Sequence, residues 1–151
     1  MNWQKIAVIT LVLALLASVQ PALIASDNYI GSKNCGHCHE AQYDAWKKGS
    51  HSGSLFVLDV EHRNSSKCIS CHAIKIQGKT TSVECESCHG AGANYAKSYI
   101  MKDLELARAV GLKYQDYTVC LKCHQGDTPT VQEFEARKFW KRLMHSKTSN
   151  Q

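Results

Sequence analysis

Four short stretches decide how this chain is read. They are Cys35-Gly36-His37-Cys38-His39, Cys68-Ile69-Ser70-Cys71-His72, Cys85-Glu86-Ser87-Cys88-His89 and Cys120-Leu121-Lys122-Cys123-His124, here motifs 1 to 4. Together they use all eight cysteines of the chain. The spacing C-x-x-C-H is the attachment signature of c-type haem. Two thiols bond the vinyl groups of the porphyrin, and the histidine that follows binds the iron. The cofactor implied is therefore haem c, four copies, covalently bound. Cys35, Cys38, Cys68, Cys71, Cys85, Cys88, Cys120 and Cys123 are the attachment residues. His39, His72, His89 and His124 are the proximal iron ligands.

Other uses of paired cysteines explain less. Four thiolates per metal would make two structural zinc sites. A disulfide framework would pair the eight in some other way. Neither accounts for a histidine immediately after every second cysteine. A redox-active C-x-x-C normally comes singly on a thioredoxin-like pattern, which is absent here.

The N-terminus agrees with the motifs. Met1 to Lys5 is a short positive opening, Ile6 to Val19 is an almost unbroken apolar run, and Pro21 breaks it. This is the layout of a secretory signal peptide. We place the leader at residues 1–25 and a tetrahaem domain at 26–151, with a retained N-terminal anchor as the alternative. Haem c is attached outside the cytoplasmic membrane, so the expected location is the periplasm.

The polypeptide is formally +5, with a pI of about 8.8. Two propionates on each haem draw this towards neutrality, and reduction makes the loaded protein negative. The basic residues are scattered, so nucleic acid is not an expected partner. Lys138, Lys141, Arg142 and His145 do share one face of the last expected helix. A solvated face explains them as well as a docking patch does.

A chain of this length is one domain. Outside the leader its aliphatic content is modest, so the porphyrins must supply most of the core. The expected fold is mainly α: a loop-rich multihaem cytochrome c, with short helices wrapped around four covalently attached haems and little or no β. Three helices are expected. One spans Glu40 to Lys48 and stops at Gly49. A second spans Ala93 to Val110 and ends at Gly111. The third starts at the capping box Thr130-Val131-Gln132-Glu133 and runs to about Ser146.

The sixth ligand on each iron separates electron transfer from substrate activation. Four histidines remain after the proximal set: His37, His51, His62 and His145. His51, in a small-residue loop, is the leading candidate. His145, near the end of the last helix, competes with a surface histidine favoured by the helix C-terminus. His62, in a polar stretch, stands evenly between ligand and solvated loop. His37 lies between the cysteines of motif 1 and faces away from an iron. Met101 and Met144 are read as core.

The stretch Tyr29-Ile30-Gly31-Ser32-Lys33-Asn34-Cys35 to Cys38-His39, then Tyr43, Trp46 and His51, resembles the opening of the cytochrome c-554 family. So does Val83-Glu84-Cys85-Glu86-Ser87-Cys88-His89-Gly90-Ala91-Gly92-Ala93-Asn94-Tyr95. The resemblance implies a periplasmic electron-transfer protein with haems packed edge to edge, some as parallel stacked pairs. It implies that His51 is a distal ligand and that not every haem need have two histidines. Two departures stand out. Gly49 replaces a serine common in the family's Trp-x-x-Ser-x-His pattern. Tyr95 stands near where many relatives carry a distal histidine.

Three functions fit. The first is an electron carrier between redox partner proteins, including membrane quinol-linked cytochromes, as a monomer or weak oligomer. No serine–histidine–carboxylate pattern, phosphate loop or nucleotide fingerprint points elsewhere. The second is a reductase of nitric oxide, nitrite or hydroxylamine at a five-coordinate haem. The third is a subunit of an extracellular cytochrome filament.

Overall fold

The computed structural model describes residues 28–113, 115–125 and 134–143. The leader, the capping box at 130–133 and His145 lie outside the described residues. The described chain is mainly helical, in short pieces. In order they are α1 (Ser32–Gly36), α2 (Glu40–Lys48), 3-10 turns at Ser50–Gly53 and His62–Asn64, α3 (Ser66–His72), β1 (Ile74–Ile76), β2 (Lys79–Thr81), α4 (Cys85–His89), α5 (Ser98–Met101), α6 (Leu104–Ala109), a 3-10 helix (Tyr117–Lys122) and α7 (Ala136–Leu143).

Helix α2 has the expected bounds and ends at Gly49, which is extended at φ −86°, ψ 163°. The indole of Trp46 leaves this helix and donates to the carbonyl of Val83 at 2.9 Å, tying it to the approach of motif 3. The strands form one antiparallel hairpin, with Ile74 opposite Thr81 and Ile76 opposite Lys79. Gln77 and Gly78 both take positive φ, 48° and 79°, as a two-residue hairpin loop twisted to match its strands requires.

The expected helix from Ala93 to Val110 is broken. Lys97 is extended, and α5 begins only after it. The chain then opens again at Asp103, whose side chain accepts from the amide of Leu106 at 3.0 Å and caps α6. An aspartate in this position offers the backbone an alternative to continuing the helix. The end does lie where expected: Gly111 takes φ 125°, which favours glycine. The expected third helix is not continuous from Thr130: Phe134 and Glu135 are not helical, and α7 begins only at Ala136 and is described to Leu143.

The side-chain core is thin. Among the described residues its buried apolar members are Leu55, Tyr95, Ile100, Ala107 and Ala136. Tyr95, Ile100 and Ala107 form one cluster, flanked by Met101, Val110 and Leu112. Phe56, Val57 and Val60, by contrast, are each at least 70% exposed. A polypeptide that leaves such residues in water is not filling its interior with its own side chains.

Candidate functional site

Each motif is built on about one helical turn. Motif 1 begins in α1, motif 2 lies within α3, motif 3 is α4, and motif 4 begins in the 3-10 helix at Tyr117–Lys122. The amide of His39 donates to the carbonyl of Cys35, and that of His124 to Cys120, both at 2.9 Å. This puts the first cysteine and the histidine, four residues apart, on the same face of the turn. All eight cysteines are free thiols, and none is buried. Among the described residues no three His, Cys, Asp or Glu side chains gather around a point that could hold a bare metal ion. Two cysteines and a following histidine on one turn are a donor set that suits a covalently bound haem c.

The motifs meet in pairs. The sulfurs of Cys35 and Cys85 lie close enough to act on each other, and α1 packs against α4, so motif 1 meets motif 3. Hydrogen bonding with the Cys85 sulfur, then burial, pushes the Cys35 thiol up, while the same contact brings Cys85 down to about 7. Cys71 and Cys123 join motif 2 to motif 4 in the same way. In a haem-loaded protein these sulfurs are thioethers without a proton, and what survives is the proximity. Between the pairs, burial raises the Cys88 thiol, and nearby Cys120 adds to it. The Gln115 amide, next to motif 4, donates to the Cys88 carbonyl.

The histidines are held in different ways. Ser54 donates its hydroxyl to the His72 carbonyl at 2.8 Å. The Ser54 carbonyl lies 3.0 Å from His72 Nδ1. A carbonyl only accepts, so Nδ1 carries the proton and Nε2 keeps the lone pair an iron needs. The rings of His51 and His124 have centres 6.2 Å apart, tilted by 52°. Burial, then the charge of His124, holds His51 below the ordinary histidine range. Burial, then His72, does the same to His124. Both are thereby kept neutral, the form that ligates metals. Phe134 stacks on the face of His124 at 4.1 Å and Phe139 stacks on Phe134 at 5.0 Å. Stacking on the face leaves the in-plane ring nitrogens of His124 unobstructed.

His62 is exposed. Its Nδ1 lies 2.7 Å from Asp59 Oδ1, and its amide donates to the same carboxylate at 2.9 Å. His39 and His37 are both exposed beside α2. His89 ends α4 at half-burial. Tyr95 is buried, and its hydroxyl donates to the Gly90 carbonyl at 2.7 Å. Burial, then the charge of Glu86, raises the Tyr95 hydroxyl well above its ordinary range. The phenol is thus kept protonated and committed to the core.

Residues 34–111, just over half of the chain, match the family described as cytochrome c554 and c-prime. This chain belongs to that family. Membership in the cytochrome c554 and c-prime family brings covalently bound haem c with it. Motifs 1 to 3 lie inside the matched segment, and motif 4 lies beyond it. Cytochrome c-554 of Nitrosomonas europaea is 28% identical over 101 residues, an alignment covering 49% of this chain and 43% of that relative. The chain thus spans less than half the length of the curated relative it matches. No solved structure matches it.

Sequence reasoning missed the buried residues that fasten this c554-family site. Ser32, 1% exposed, accepts from the amide of Cys85 at 2.9 Å through its hydroxyl. The Ser32 amide donates to Glu84 at 3.0 Å. Glu84 and Ser87 form a reciprocal capping box on α4. That box spans only four residues, and Glu84 followed by Ser87 was a signal that could have been found. The contact of Ser32 with Cys85 spans 53 positions and left no local trace.

Proposed function

We propose that this protein is a tetrahaem electron carrier of the periplasm, with its haems carried as two close pairs, motifs 1 with 3 and motifs 2 with 4. The observation that carries this reading is the pairing of the motifs. Cys35 meets Cys85, Cys71 meets Cys123, and Cys88 with Cys120 links the two pairs. Electron hopping needs close redox centres in a continuous series, and this arrangement of attachment points supports one. Haem supplies reversible one-electron storage on iron.

The chain's own residues hold and tune it. Cys35, Cys38, Cys68, Cys71, Cys85, Cys88, Cys120 and Cys123 attach the porphyrins; His39, His72, His89 and His124 bind the irons. Two imidazoles bonded to one metal from opposite sides, at about 2.0–2.1 Å each, have ring centres about 6.3 Å apart. The 6.2 Å between His51 and His124 supports His51 as the distal ligand at motif 4. His51 and His124 together would close that site to small molecules and leave it suited to electron exchange. His62 and His145 remain proposed distal ligands at the other irons. In His62, Nδ1–H donates to the Asp59 carboxylate, which leaves the Nε2 lone pair for a metal. The leader, proposed at residues 1–25, directs export. No helix among the described residues is long and apolar enough to cross a membrane. Redox proteins on either side, including quinol-linked membrane cytochromes, are the proposed partners.

The test uses protein made in a host that matures c-type cytochromes. Mass spectrometry should show four haem additions to a leaderless chain, and potentiometric titration should resolve a reversible four-electron uptake. Bound zinc, or fewer than three haems, would end the reading.

One observation favours a second reading, small-molecule chemistry at an open iron. By the resemblance, Tyr95 stands near where relatives often carry a distal histidine, and in the structure its hydroxyl is committed to Gly90. Carbon monoxide added to the reduced protein should then bind about one haem per monomer without denaturant. Four inert low-spin irons in a verified monomer would leave the electron carrier alone.

A further inference from the structure

Ligation leaves one deeply buried ionisable residue without a task. Glu86, between the cysteines of motif 3, is only 2% exposed. Its carboxylate accepts from three backbone amides. Ile30 N lies 2.9 Å from Oε1 and 3.1 Å from Oε2, Gly31 N lies 2.7 Å from Oε2, and Gly92 N lies 2.6 Å from Oε1. Ile30 and Gly31 lead into motif 1, and Gly92 follows motif 3. The carboxylate therefore sits at the junction of the two motifs whose thiols also meet.

We propose that Glu86 is a fixed buried anion that lowers the reduction potentials of the haems at motifs 1 and 3. The proposal rests on the haem attachment argued above. A converging set of amide donors calls for an acceptor-only group, and an ionised carboxylate is one, whereas a glutamine amide brings donors of its own. Away from water a charge acts more strongly and over a longer range than at the surface. A nearby anion favours the ferric iron, which carries one more positive charge than the ferrous iron. Reduction then takes one electron from an external protein donor against that field. The surroundings are shaped around the charge. A Cβ on Gly92 would lie 2.9 Å from Glu86 Oε1 and 3.1 Å from the Ile30 side chain, so only glycine leaves the carboxylate its place. Burial, then the Glu86 charge, also holds the Tyr95 hydroxyl above its ordinary range.

A clamp that merely joins two segments would look the same in the geometry, and it is separated by the potentials. Wild type, Glu86→Gln and Glu86→Asp are made as full chains in a cytochrome-maturing host and weighed to count haems. Loss of the haems at motifs 1 and 3 from the wild type would sink the attachment reading itself. With equal loading, spectroelectrochemical titration should show two of the four potentials moved upward in Glu86→Gln and the other two unmoved. Glu86→Asp, which keeps the charge on a shorter arm, should stay nearer the wild type. Equal shifts in both variants, or none in either, would make Glu86 a clamp only. If neither variant loads haem, redox-difference infrared spectroscopy of wild type with 13C-labelled glutamate decides. A carboxylate band that moves on reduction supports the proposal, and a silent one overturns it.

Discussion

The two motif pairs are held together by different means. Around motifs 1 and 3 the chain has a polar lock and a small core of its own. Glu86 gathers amides from two segments, Ser32 and Glu84 bridge α1 to α4, and Tyr95, Ile100 and Ala107 pack together. Around motifs 2 and 4, among the described residues, the fastenings are of another kind. Ser54 holds His72, the stack of Phe139, Phe134 and His124 closes one side, and Leu55 is buried next to a fully open Phe56 and Val57. The difference is that one half has contacts of its own to hold its fold, while on the proposed reading the other would draw its core from its haems.

Removing the proposed fourth haem should therefore have the largest and most uneven effect. A few hundred Å² of apolar burial at roughly 25 cal/mol per Å² is worth on the order of 5–10 kcal/mol. In the double variant Cys120→Ala, Cys123→Ala, mass spectrometry should show one haem fewer. Amide exchange should show protection lost across residues 50–82 and 115–125 but kept across 85–112. Equal loss on both sides would break the comparison.

His51→Ala tests the second half at its iron. One low-spin haem should become high-spin and bind carbon monoxide, about one per monomer, and its potential should rise. An unchanged spectrum would mean that the 6.2 Å approach to His124 has nothing to do with ligation.

How much of this could be read from the sequence follows the same division. Helix α2 was legible because its residues and its terminal glycine are local. The four C-x-x-C-H motifs were legible because their spacing is local. The break at Lys97 and Asp103 was not foreseen, because apolar periodicity from Tyr95 to Leu106 outweighed a capping aspartate in the reading. The hairpin at residues 74–81 had a local signal, alternating Ile-Lys-Ile followed by Gln77-Gly78, too short to stand out. Glu86 was invisible. Its partners Ile30 and Gly31 lie 56 and 55 positions away, and a glutamate between motif cysteines normally reads as a solvated residue. The approach of His51 to His124 spans 73 positions, and only tertiary structure reports it.

In the first half, Tyr95→Phe should cost about 1–3 kcal/mol, because it leaves the buried Gly90 carbonyl without its donor. Chemical denaturation of the loaded protein reads that loss. The spin states of all irons should not change, since the hydroxyl faces a carbonyl. A change at any iron would make Tyr95 a ligand and return it to the site.

The smallest effect expected is acid sensitivity confined to the second half. Asp116 caps the 3-10 helix of motif 4, accepting from the Thr118 amide at 2.8 Å. The Thr118 hydroxyl, then that amide, holds the Asp116 carboxyl below its ordinary range. Asp59 is held down likewise by the His62 amide and then the His62 ring. A carboxyl depressed in the folded state stabilises it above the unfolded carboxyl's own value, about 3.9, and loses that contribution as pH falls through the depressed one. Both groups are fully exposed, so the contribution is small and weakened by salt. Protection of the Thr118 and His62 amides, referred to unfolded-chain exchange, should decline as pH falls from about 5 to about 3. Asp116→Asn keeps a capping oxygen but cannot titrate, and it should flatten the decline at Thr118 alone. If the amides of Ile30 and Gly92 lose protection first, the better-locked half is the weaker one in acid, and the difference between the two halves lies in packing rather than in charge.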